Sequence, residues 1–212
     1  MASRGAAAAG MRGRPGQVPL TIGVFLALVA AMLPLLQVIQ PGGWIGGSLL
    51  MLVSVFGVGF AARWYRLPAV AVSLSEAVVW IVLMTVLFFA GTAILGILPS
   101  VATFQAVPTT ITDAIDEIQL GAAPLPASAH LSALLVGSAG LLAIIMDHVV
   151  LTARLPLVAG IGLVAVSLIP SIAVPNAFEV LTFALLAAAV LFLIRTETRT
   201  RTAAQADAGL HR

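Results

Sequence analysis

The 212-residue chain is 61% hydrophobic and only 8% charged, with a mean hydropathy of +1.15 and a formal net charge of +2. A water-soluble domain of this length could not bury that much apolar surface behind so few charges, so composition places the chain in a bilayer. All 10 basic residues are arginines scattered in short clusters, which excludes a nucleic-acid-binding stripe, and the absence of cysteine excludes disulfides, thiolate metal sites and a cysteine nucleophile.

Residues 1–17 are rich in Ala, Gly and Arg and read as a flexible cytoplasmic lead. The first apolar stretch, 19–39, carries no charge and is long enough to cross a bilayer, which takes about 20 residues. Pro34 is expected to bend it without ending it. No small-x-small cleavage site closes this stretch, so a retained span is favoured over a signal peptide. Further spans are predicted over 44–62, 69–90, 131–151, 155–174 and 177–194, with Pro170 kinking or ending the fifth. A polar cytoplasmic tail, 197–212, follows the membrane domain of 18–196.

The arginines give this arrangement an orientation. Arg4, Arg12 and Arg14 precede the first span, Arg63 and Arg66 join the second to the third, Arg154 joins the fourth to the fifth, and Arg195, Arg199 and Arg201 follow the sixth. The alternate connections, 40–43, 91–130 and 175–176, contain neither arginine nor lysine. The positive-inside rule then puts both termini in the cytoplasm of a multi-pass plasma-membrane protein. The expected fold is all-α: a six-span transmembrane bundle with one short external amphipathic helix. Short connections predict that spans one and two, two and three, four and five, and five and six are antiparallel neighbours.

The external connection 91–130 is the long one. Pro99 is read as a stop, and Pro108 onward as a helix capped by Thr110 with Asp113 as its partner. Ile111, Ile115 and Ile118 recur at helical spacing, opposite Asp113, Asp116 and Glu117. The isoleucines are expected to lie on lipid or on the bundle. Two readings of the acidic face stay open: a docking surface for an external partner, or charge that serves only to solvate.

Few polar residues enter the spans. Glu76 lies roughly 10 Å into the third span at helical rise, with Ser73 and Trp80 near the same face. A carboxylate there must face other helices. Asp147 and His148 lie near the inner end of the fourth span, where Arg154 and Arg66 are within reach of the same level. These five residues read as a charged lock on helix register, or else as a proton or ion path built on Glu76, Asp147 and His148. No ionisable residue continues such a path through the outer half of the third or fourth span, Glu179 of the sixth being the one outer candidate. The first three spans also show no repeat in the last three, as many transporters do. His130, His148 and His211 are too dispersed for a metal site, no phosphate loop or catalytic motif is present, and no cofactor is expected.

Several stretches carry a resemblance: Leu35-Leu36-Gln37, then Arg63-Trp64-Tyr65-Arg66-Leu67-Pro68 leading into a Ser/Glu-bearing span, then the apolar run 82–99, the acidic external helix, Pro124-Leu125-Pro126-Ala127, and Asp147. Over about residues 18–196 the chain resembles the N-terminal membrane domain of bacterial transglutaminase-like membrane proteins, the TgpA-like family, particularly its actinobacterial form. In that family a further span and an extracytoplasmic transglutaminase-like domain with a Cys-His-Asp triad follow. Without cysteine, no catalytic residue carries over onto this chain. The resemblance implies a fragment or truncated relative, a non-catalytic anchor that positions an external papain-like domain of the same full-length protein. A small transporter or channel using Glu76 and Asp147/His148, and an accessory membrane subunit, are the alternatives.

Overall fold

The computed structural model describes residues 17–153, 155–173, 180, 183–192 and 194–195, and among these every regular element is helical. In chain order they are α1 (Gln17–Met32), α2 (Leu35–Val38), α3 (Gly43–Trp64), α4 (Ala69–Phe88), α5 (Val101–Leu120), α6 (Ala129–Asp147) and α7 (Pro156–Ala173). A 3₁₀ turn, Ala90–Thr92, follows α4, and a π turn, His148–Thr152, follows α6.

Four stretches are long and apolar enough to cross a membrane: Val18–Val38, Gly43–Trp64, Ala69–Phe88 and Ala129–Thr152. The first is α1 and α2 joined across Pro34, so the proline bends the span as its missing N–H dictates, and the chain resumes its helix one turn later. α7 and the segment Phe183–Phe192 are apolar helices, but the part of each that is fully described is shorter than a spanning length. Most of the predicted 177–194 span lies outside the described residues. Pro170 does not end α7, which runs through it to Ala173.

The amphipathic helix differs most from expectation. It begins at Val101, two turns before Pro108, and Thr110 is an interior residue whose Oγ1 donates to the Ala106 carbonyl, 3.0 Å away. Its true cap is Ser100, whose Oγ accepts from the Thr103 N–H at 3.3 Å while Thr103 Oγ1 accepts from the Ser100 N–H at 3.1 Å. This reciprocal box supplies partners for two orphan groups of the helix start. With the helix already nucleated there, Pro108 is carried inside it.

Spans one and two, and two and three, pack together as the short connections predict, but the packing goes beyond that rule. The most extensive helix contact joins α3 to α6, which are not consecutive spans, and α4 packs on both. α3 is the hub because it buries Trp44, Met51, Leu52, Val55 and Phe56, and α6 meets it with Val136 against Gly47 and Gly140 against Met51. In lipid, apolar side chains gain little by leaving one greasy medium for another, so close backbone approach and buried polar contacts carry helix association. Gly140 shows the point: a Cβ there would press on the Trp80 ring and lie 2.7 Å from Met51 Cγ. Trp80 in turn donates its indole N–H to the Gly137 carbonyl at 2.9 Å, fixing α4 against α6. α1 packs on α3, α6 and α7, and the outward faces of the spans, such as Val53, Val70, Leu74 and Val78, are apolar and open, as a lipid solvent requires.

Candidate functional site: an ionic cluster between three helices

α4 fully buries Val72, Glu76 and Thr85, two of them polar, alongside the half-buried Trp80, Leu83, Met84 and Phe88. Thr85 satisfies itself by donating to the Ile81 carbonyl at 2.8 Å. Glu76 has no such local outlet, and its side chain is 0% exposed. It points at Gly59 of α3, where an added Cβ would collide with Oε1 and lie 3.1 Å from Arg63 Nη2. Glycine is needed at 59 because the carboxyl group of another helix occupies the space of a side chain.

Arg63, one turn beyond Gly59, carries the positive charge of the site. Its Nη1 donates to Asp147 Oδ2 at 2.6 Å and its Nη2 to Asp147 Oδ1 at 2.9 Å, a bidentate fork between the last turns of α3 and α6. Asp147 is 1% exposed and Arg63 11%, so both charges are largely withdrawn from solvent. The geometry is the strong planar pairing that guanidinium and carboxylate favour. Glu76 stands behind it with Oε1 3.9 Å from Arg63 Nη1, and neither carboxylate oxygen has a hydrogen-bond partner. Two acidic groups thus share one guanidinium.

The cluster brings together Glu76 and Asp147 as expected, but the cation is Arg63. Sequence reasoning counted Arg63 only as a topology marker and looked to Arg66 and Arg154. The missed signal was the spacing Gly59, Ala62, Arg63, which continues the buried face of α3 to its last turn. Arg66 is exposed at the turn between α3 and α4, in the left-handed region with φ 59°, and Arg154 lies outside the described residues. His148 turns away from Asp147 and places Nδ1 3.3 Å from Ser73 Oγ on α4. This adds a contact between α4 and the end of α6 beside the ionic cluster.

At the opposite rim the three acids divide. Glu117 Oε2 accepts a short hydrogen bond from Ser128 Oγ, and Oε1 lies 3.5 Å from His130 Nδ1, while Asp113 Oδ2 lies 3.9 Å from His130 Nε2. Glu117 and Asp113 thus meet the start of α6, where Ser128 also caps the helix through the Leu131 N–H at 3.0 Å. Asp116 is exposed. No group of three or more His, Cys, Asp or Glu residues suited to a metal ion occurs among the described residues.

Comparison with known families resolves the resemblance. The family model described as the TgpA N-terminal domain matches residues 26–212. The chain belongs to the TgpA N-terminal domain family. No curated protein and no solved structure matches it. Within this TgpA N-terminal domain, the stretch Arg63 to Pro68 forms the tight end of α3, with the Tyr65 N–H donating to Ala61 O at 3.0 Å and the Leu67 N–H to Ala62 O at 3.1 Å. That turn delivers the guanidinium of the lock and starts α4 at Pro68, whose extended backbone suits the position before a helix. The apolar spanning helices and the family together make this a membrane-associated domain of a transglutaminase-like protein.

Proposed function

We propose that this domain is a non-catalytic plasma-membrane anchor and scaffold, with both termini cytoplasmic, that positions an extracytoplasmic transglutaminase-like domain of the full-length protein. The observation that carries the reading is the family match over residues 26–212 on a bundle in which a bidentate fork holds a buried charge cluster between three helices. Such a fork resists the rearrangement that a carrier needs, and it suits a platform whose helices keep one register. The run of residues 77–88 in α4 and 131–146 in α6 contains no ionisable group to relay a charge onward. The partner is then the lipid bilayer together with the external domain, which would act on peptide or protein amide groups near the cell envelope.

The Glu76 carboxylate, whose oxygens accept no hydrogen bond, favours a second reading, a small transporter or channel. One pair of measurements decides between them. In the full-length protein, replacing the bundle with an unrelated membrane anchor should leave the external domain attached to the membrane but lower its processing of envelope peptides. Unchanged processing would refute the positioning role. In proteoliposomes of the isolated domain, a proton or sodium flux lost on Glu76→Gln, with folding and insertion intact, would establish the transporter instead.

A further inference from the structure

The rim opposite Arg63 presents its apolar residues outward. α5 spans this rim with both ends tied down: Ser100 Oγ and Thr103 Oγ1 donate to the Thr92 carbonyl at 2.6 and 3.1 Å just beyond α4, and Glu117 meets Ser128 before α6. Its buried seam is narrow, Thr103 and Ala114, with Thr110 half-buried between them. On a helical projection Ile118, Ile111 and Ile115 fall about 60–120° to one side of this seam, and Glu117 and Asp113 about 40–80° to the other. The acidic flank meets His130, but the apolar flank stays open: Phe104 is 62% exposed, Ile111 40%, Ile115 41% and Ile118 47%.

The turn at the α5 start has the same character. Ile94 and Leu98 bridge each other, and the chain between them turns through left-handed Leu95 (φ 54°) and Gly96 (φ 71°). Leucine rarely takes that conformation, and here it leaves the side chain 90% exposed. Such a turn in water is ordinarily built with polar residues.

Three facts identify what covers these groups. α4 has 20 residues, about 30 Å at helical rise, so its end at Phe88 falls at the edge of the hydrocarbon layer and the turn begins at the depth of the lipid headgroups. From residue 77 to residue 112 the sequence has no charge, far more than the span itself requires. The open flank also begins at Phe104, beside the Thr92–Thr103 contact at 3.1 Å, and so continues from the lipid-facing end of α4.

We infer that the Leu95 turn and the Phe104–Ile118 flank of α5 are seated in the outer leaflet, at the boundary of headgroups and acyl chains, as an in-plane amphipathic element. Lipid is the occupant, and Asp116 on the far side faces water. The element sets the depth of the rim from which an external domain would extend, and it holds whether or not that domain is present.

The absence of cysteine makes the test direct. The full chain, carrying Leu95→Cys, Ile115→Cys, Ile118→Cys or Asp116→Cys singly, is labelled with a nitroxide and reconstituted in phosphatidylethanolamine/phosphatidylglycerol vesicles. Labels at 95, 115 and 118 should collide with oxygen several times more readily than with a water-soluble nickel chelate, and the label at 116 should show the reverse. Nickel accessibility at 95 and 115 equal to that at 116 would place the flank in water and overturn the proposal. Low collision with both reagents, or spin–spin broadening, would mean a protein or a second copy covers the flank, and would overturn it equally.

Discussion

The two ends of the bundle are closed by different physics. At the arginine end, three helices meet at charged side chains from distant parts of the chain, Arg63, Glu76 and Asp147. At the opposite rim, closure is made mostly by hydroxyls and backbone groups, Ser100, Thr92 and Thr103 at one corner and Leu125 threaded against Val38 and Gln40 at another, with the half-exposed Glu117 and Asp113 meeting Ser128 and His130 at a third. The charged end concentrates its stability in a few groups, each expensive to leave without its partner in a water-poor setting. The opposite rim spreads it over many hydrogen bonds of about 1 kcal/mol each, so it tolerates single losses. One end is therefore brittle and specific, the other forgiving.

The sharpest way to break this contrast is Arg63→Leu. It leaves two carboxylates facing each other without a cation, and it should destabilise the detergent-solubilised domain by about 3–5 kcal/mol, read by thermal or denaturant unfolding. A loss no larger than that from a rim mutation would mean the charged end is not special. Gly140→Val comes next: the added side chain meets Trp80 and Met51, and overpacking of this kind costs about 1–3 kcal/mol, with a shift in tryptophan emission as Trp80 is displaced. At the rim, Ser100→Ala removes one half of the capping box and should cost about 1 kcal/mol, with hydrogen exchange rising first in the opening turn of α5. Smallest of all is Glu76→Gln, expected within about 1 kcal/mol of the native protein because its oxygens make no hydrogen bond to lose. It should also soften the Arg63→Leu defect, since only one unpaired carboxylate then remains; a double-mutant cycle showing strict additivity would contradict the shared cluster.

Much of this architecture was legible because bilayer length and one-sided arginines are strong constraints. The helices over Gly43–Trp64 and Ala69–Phe88 fall close to the predicted spans for that reason. The inward direction of Glu76 was also readable, since lipid leaves a carboxylate no other choice. What escaped was tertiary. Short loops say which helices can be neighbours, but α3 meets α6 where Gly47 faces Val136 and Gly140 faces Met51, small residues whose value depends on what faces them. Arg63 was hidden by its dual role, since the same residue sits at the end of a span and completes a buried pair. The start of α5 was misplaced because Pro108 was given more weight than the hydroxyls of Ser100 and Thr103, whose strength lies partly in their contact with Thr92.

Leu125 carries a consequence for biogenesis. Its N–H donates to the Val38 carbonyl at 2.8 Å and its carbonyl accepts from the Gln40 N–H at 2.9 Å, so one residue of the late chain completes the turn of the first hairpin. While the ribosome is still making α5, that turn has two backbone groups waiting for a partner not yet synthesised. The first hairpin can insert early, but its turn is finished only when the segment before α6 arrives, which makes assembly of the domain a matter of timing as well as of affinity.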